Sequence, residues 1–303
     1  MSMLAGLGAG GGRVAAPTRR ATRGAATLLA PGMLYLVGFF VVPVFALLAT
    51  SLYVPVPGGD VGQFQPALEW QNYVNAVTTY WPQMVRSFGY ALTATVLALL
   101  IGYPMAYLIA VRARGRPLLQ GVLLVLVIAP FFTSFILRTI AWKQILADEG
   151  FVVAAMRTFA LLPPDGRLTA TSFAVVCGLT YNFLPFMTLP IYANLERMDA
   201  RLLEAGSDLY AHGPPTLARG ALPLSMPGVV SGTLLTFIPA SGDYVNSVLL
   251  GNNTTTMIGQ VIDSRFFKVS DYPTAAALSV VLMLVILAMV SLYVRKAGTE
   301  DLL

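Results

Sequence analysis

From Gly24 to Gly59 the chain carries no charged residue. Leu28–Leu52 inside that run is long and apolar enough to cross a bilayer, since ~30 Å of hydrocarbon at 1.5 Å per residue takes ~20 residues. Comparable windows follow at Ser87–Val111, Leu118–Ile145, Thr171–Leu195, Pro227–Leu250 and Pro273–Val294. Arg138 and Lys143 lie near the far end of the third, and Asp243 interrupts the fifth. Hydrocarbon leaves no water to satisfy peptide groups, so such windows must be helices. The expectation is an all-α membrane protein with six transmembrane helices. Composition excludes the soluble alternative. Charged residues are 11% of the 303, against about 25% in a typical soluble domain, too few to coat a water-facing surface.

A net charge of +5 could point to nucleic acid, but the basic residues sit between apolar runs, as topogenic charges do. In alternate connections twelve Lys and Arg fall on one side and five on the other. The richer side holds Arg13 to Arg23, Arg112 to Arg116, Arg197 to Arg219, and Arg295 with Lys296, which places both termini in the cytoplasm. Residues 1–27 read as a disordered basic tail, 28–295 as the membrane domain and 296–303 as a second tail. The first apolar run is too long for a cleaved signal segment. A single cysteine, Cys177, excludes an internal disulfide and a multi-thiolate zinc site, and a single histidine, His212, excludes a His-based metal cluster. No metal site is expected. Prolines at 43, 104, 130, 185, 190 and 239 each remove a backbone hydrogen bond inside a window.

The link between the fourth and fifth windows, about 197–226, differs in character. Asp199 is placed to cap a short helix through Leu209, with Glu204 and Asp208 on one face and Leu202 and Leu209 on an apolar side. Gly213-Pro214-Pro215 ends it. A helix with an acid face and an apolar face, held between two spans, fits either a solvated loop or a soluble partner.

These residues resemble the EAA loop of permease subunits of binding-protein-dependent ABC importers. The matching positions are Glu204, Ala205, Asp208, Leu209 and Ala211, then Pro223, Pro227, Gly228 and Gly232. Gly206 stands where the family has its second alanine, Tyr210 where it usually has glycine, and Leu217 where phenylalanine is usual. Phe131–Leu146, Thr180–Asp199 and Phe237–Gly251 resemble the spermidine/putrescine branch, and the likeness extends from about Leu28 to about Val294.

The resemblance implies a type I ABC importer permease fold in a bacterial cytoplasmic membrane. It implies a second, similar permease, two copies of a cytoplasmic ATPase and an extracytoplasmic solute-binding protein. ATP and Mg would sit on the ATPase, because this chain has no GxxxxGK[ST] phosphate loop. No cofactor belongs to the chain itself. By the same analogy Glu204 accepts a basic side chain of the ATPase while Leu202 and Leu209 are buried against it.

An acid inside a span costs ~2.5–3.5 kcal/mol on insertion scales, so Asp243 should face a cavity or a partner. Three readings stand for it: attraction of an organic cation along a substrate path, an ion pair with Arg138, or a place near the outer interface. Trp142, Tyr181, Phe183 and Tyr244 are further path candidates through cation–π contact. Against an intramembrane enzyme, the sequence has neither HExxH nor GxSxG. A channel or secondary transporter would have no use for the Glu204 segment.

Overall fold

The computed structural model describes residues 19–163, 165–198 and 222–297. The chain divides into two units at Ala49–Thr50. In the first, helix α1 (Arg19–Leu36) runs through a π turn at Val37–Val41 into α2 (Val42–Thr50). The widened turn comes just before Pro43, whose ring cannot follow a regular α turn without a clash. The tail was expected to be disordered to residue 27. Helix begins instead at Arg19, since Ala and Arg in this stretch are good helix formers feeding an apolar run. None of the apolar window 28–50 is buried.

The second unit starts with a two-residue antiparallel pair, β1 (Val54–Pro55) with β2 (Phe64–Gln65), a small exception to the all-α expectation. Helix α3 (Gln71–Tyr107) then continues through a π turn to Arg112. It starts well before the expected Ser87. The segment Gln71–Arg86 is too polar to register as a span, yet it buries Ala76 and Met84 against the last helix and its approach.

The third window is not one rod. Helix α4 (Pro117–Ile128) tightens into a 3₁₀ turn at Ala129–Phe132, and α5 (Phe135–Ile145) leaves at 100°. Pro130 removes a donor, and Thr133 and Ser134 are not helical, so the hydrogen-bond ladder stops there. Helix α6 (Phe151–Thr158) precedes α7 (Ser172–Arg197). Helix α8 (Met226–Ser241) is shorter than the expected fifth span; its 16 residues cover ~24 Å at 1.5 Å each. After a break at 242–244 come α9 (Val245–Leu250) and α10 (Ile258–Asp263), then α11 (Tyr272–Ala297). Among the described residues, four helices are thus long and apolar enough to cross a membrane, five if the bent α4–α5 pair counts as one crossing, with α8 as a shorter apolar helix.

Helix α7 is central: 61% of its apolar window is buried. Small residues let its neighbours come close. On α3, Ala91, Ala94, Ala98, Gly102 and Ala106 recur every three or four residues and are buried. A Cβ on Gly102 would lie 2.8 Å from Thr188 Oγ1. On α8, a Cβ on Gly228 would lie 2.9 Å from Pro190 O and 3.0 Å from Ile191 Cα, and one on Gly232 would lie 2.9 Å from Met187 O. Lipid gives helices no hydrophobic drive to associate, so such close van der Waals contact is what holds them. Hydroxyls within the spans turn back on their own helix: Thr95 donates to Ala91 O at 2.7 Å and Thr188 to Leu184 O at 2.9 Å.

Gly228→Ala should therefore destabilise the protein by ~1–3 kcal/mol through overpacking against backbone that cannot retreat. Gly89→Ala, where a Cβ meets nothing within 4 Å, should be silent or slightly stabilising. Thermal unfolding of the two variants in detergent measures the difference.

Candidate functional site

Two regions carry the candidate residues. The first is the end of the bundle formed by Arg197 and Met226. Leu202, Glu204, Ala205, Gly206, Asp208, Leu209 and Ala211 lie outside the described residues. Their anchors do not. Pro223 sits in a helical turn at Leu222–Leu224, and Pro227 lies in the first turn of α8, where a missing N–H costs nothing. Arg197, Asn194, Pro190, Pro227, Gly228 and Ser231 line one cleft of about 190 Å³. Arg197 and Pro227, which stand on either side of 199–221 in the sequence, therefore share one cleft.

The turn between α3 and α4 reaches this same end. Arg114 Nη1 donates to Met198 O at 3.2 Å, and its Nη2 to Leu195 O at 3.1 Å and Glu196 O at 3.0 Å. The sequence shows Arg114 only as one of three like charges; its aim depends on how the turn folds.

The second region surrounds the break after α8. Asp243 is only 8% exposed, and its Oδ1 accepts the backbone N–H of Asn246 at 2.8 Å, capping the first turn of α9. A second layer holds α9 in place. Asn182 Nδ2 on α7 donates to Asn246 Oδ1 at 3.1 Å and to Thr139 Oγ1 on α5 at 3.0 Å. Asn182, Asn246 and Thr139 are fully buried. Ser247 Oγ donates to Gln260 Oε1 at 2.6 Å and accepts from Met257 N–H at 3.0 Å. The backbone at Gly259 lies so near Gly242 O that a Cβ would overlap it. Asn182 and Asn246 escaped the sequence reading; an amide inside an otherwise apolar window was the signal.

The expected path residues separate. Phe183 is 6% exposed and belongs to the core, with Phe135 and Phe186 rings 5.9 and 6.0 Å away. Trp142 and Tyr181, both half-buried, meet edge to face at 5.4 Å. Tyr244 is 46% exposed. Arg138 stands over the Phe135 ring at 5.6 Å, with Nε and Nη1 buried and unpaired. The ion pairs among the described residues are Arg167–Asp148 and Arg265–Asp271, so Arg138 and Asp243 are not mates.

The break after α8 thus joins a buried carboxyl used as a helix cap to a polar belt across three helices. Comparison with known proteins gives the family. Residues 150–296 match the family described as "Binding-protein-dependent transport system inner membrane component". The chain is 34% identical over 263 residues to the spermidine/putrescine transport system permease protein PotB of Haemophilus influenzae, covering 86% of this chain and 90% of that one. To the protein of the same description in Escherichia coli it is 34% identical over 265 residues, covering 87% and 94%. The inner membrane ABC transporter permease protein YdcU of Escherichia coli is 28% identical over 231 residues, covering 73% and 72%. In fold it resembles a chain in the crystal structure of a bacterial ABC transporter involved in the import of the acidic polysaccharide alginate, with TM-score 0.64 and 18% identity, covering 92% and 96%. This chain belongs to the family of inner-membrane components of binding-protein-dependent transport systems. It is a multi-pass membrane protein and a transport subunit rather than an enzyme.

If Asp243 serves as a cap, Asp243→Ala should cost ~0.5–2 kcal/mol, because the Asn246 N–H is left buried without an acceptor. Asp243→Asn keeps an acceptor oxygen and should stay within a few tenths of a kcal/mol of wild type. Unfolding midpoints of the purified complex report both.

Proposed function

We propose that this chain is the transmembrane subunit of a bacterial inner-membrane importer that moves polyamines, spermidine or putrescine, into the cytoplasm by alternating access. The observation that carries the reading is the 34% identity, along nearly the whole chain, to permeases described as spermidine/putrescine transporters. The chain would cross the membrane six times, counting the bent α4–α5 pair and the short α8 as one crossing each, with both termini in the cytoplasm.

A second, similar permease completes the path across the lipid bilayer. Two copies of a cytoplasmic ATPase, holding ATP and Mg, supply force, and an extracytoplasmic binding protein delivers solute. No nucleic acid is involved. The Glu204 helix is the lever: Glu204 meets a basic side chain of the ATPase, Leu202 and Leu209 insert beside it, and Ala205, Gly206, Asp208 and Ala211 complete the docking surface. Pro223, Pro227 and Gly228 give that lever a stiff return into the bundle. The shared cleft of Arg197 and Gly228 supports this arrangement, since force on the loop would reach α7 and α8 together.

For the solute path, Tyr244, Trp142 and Tyr181 offer aromatic faces to an ammonium group, and Asp243 adds negative charge at the break. Phe183 acts from behind, as packing. Arg138 favours a second reading. A guanidinium with two buried, unpaired N–H nitrogens suits an anionic group better than a cation, so the same machine would carry a solute with a carboxylate, such as an opine. A panel of radiolabelled solutes presented with the cognate binding protein separates the two.

Glu204→Lys should abolish uptake while the chain still inserts and assembles. Normal ATP-driven uptake by that variant would remove the lever assignment. Asp243→Asn should lower polyamine uptake more than it lowers assembly; unchanged transport kinetics in vesicles would take Asp243 off the path.

A further inference from the structure

The turn from α3 to α4 carries Arg112, Arg114 and Arg116. Arg112 and Arg116 are exposed and make no side-chain hydrogen bond among the described residues. Arg114 is half-buried and lies across the last turn of α7. The last carbonyls of a helix have no partner within it and carry the negative end of its dipole. One guanidinium donates to three carbonyls at this end, those of Glu196, of Met198 just past the helix, and of Leu195, which also accepts the Met198 N–H at 3.3 Å. Its planar fork reaches several acceptors at once, which the single nitrogen of a lysine does not.

The turn is built for this aim. Ala113 is buried and its N–H closes on Leu108 O at 2.9 Å; Arg116 N–H returns to Ala113 O at 3.0 Å; Gly115 has φ of +86°, a conformation few other residues adopt. Helix α4 adds a second grip. Gln120 Nε2 donates to Tyr192 Oη at 3.2 Å and to Glu196 Oε1 at 3.1 Å. The end of α3, the turn and the start of α4 are thus fastened to the point where α7 passes into 199–221.

We propose that Arg114 is a positioning residue for transport: it locks the α3–α4 turn onto the end of α7, so that force on the 199–221 segment moves these helices as one body. The inference rests on the lever reading of that segment. Without the lock, the segment would drag α7 and α8 while α3 and α4 lagged, and ATP would be hydrolysed without a complete change of access.

The test uses the whole complex, with both permeases, the ATPase and the binding protein, in proteoliposomes. Assembly, ATP hydrolysis with and without binding protein, and radiolabelled spermidine moved per ATP are measured together. Arg114→Ala should assemble and hydrolyse ATP but move at least about tenfold less spermidine per ATP, with stimulation by the binding protein largely lost. Arg114→Lys keeps the charge and most of the stem, and should assemble like Arg114→Ala but restore coupling only in small part. Arg112→Ala and Arg116→Ala should behave as wild type. If uptake by the Arg114 variants falls only in step with assembled complex, with solute per ATP unchanged, Arg114 is merely structural and the inference is overturned. Glu204→Lys separates the two layers. Normal coupling in Arg114→Ala beside lost coupling in Glu204→Lys overturns the lock alone, whereas normal coupling in Glu204→Lys overturns the lever on which the lock depends.

Discussion

Close approach of backbones to α7 is the contact on which the rest of this bundle depends. Gly102 reaches it from α3, and Gly228 and Gly232 from α8, each at a distance that leaves no room for a side chain. In a membrane, where helices gain nothing by escaping lipid, that intimacy is the main source of adhesion. It also makes the assembly stiff. Helices packed this closely cannot slide past one another without breaking many contacts at once.

The two ends of α7 are used differently. Toward Arg197 its carbonyls are gripped by Arg114 and its side chains by Gln120, next to the cleft that Arg197 shares with Pro227 and Gly228. Toward Ser172 it meets a polar belt, in which Asn182 ties α5 to α9 and Asp243 caps the short helix that replaces the rest of α8. One end of this long helix is held by side chains of the α3–α4 turn and α4, and its other half faces a polar belt at a broken helix. The belt is costly in hydrocarbon unless its members pair. Asn182 Oδ1 and Asn246 Nδ2 stay unpaired while their neighbours are satisfied, so the belt is held firmly but not saturated.

Much of this was legible beforehand, and the reasons differ by element. The spans at 28–50, 172–197 and 272–296 stand where apolar runs put them, because length and hydropathy alone define a crossing. The Glu-Ala-x-x-Asp pattern and Pro227-Gly228 marked the family because their spacing survives as text. Three features were not legible. The 100° bend at Thr133 depends on what α5 packs against once Pro130 frees the backbone. The early start of α3 depends on burial of Ala76 and Met84, which hydropathy does not register. In the sequence Asp243 is an acid inside an apolar window; only the local fold shows that its Oδ1 accepts the Asn246 N–H and that Arg138 is not its mate.

Sequence alone determined that this chain lives in lipid, that it is helical, and which family it joins, since those follow from composition, run length and a short ordered motif. Tertiary structure decided which polar groups meet. Arg114 is indistinguishable in text from Arg112 and Arg116, and Asn182 from any stray amide, until folding brings a helix end or a second asparagine within 3 Å or so. Hydrogen bonds are short-ranged and directional, whereas hydrophobicity adds along the chain regardless of geometry; the first can be read only in space, the second in a line of letters.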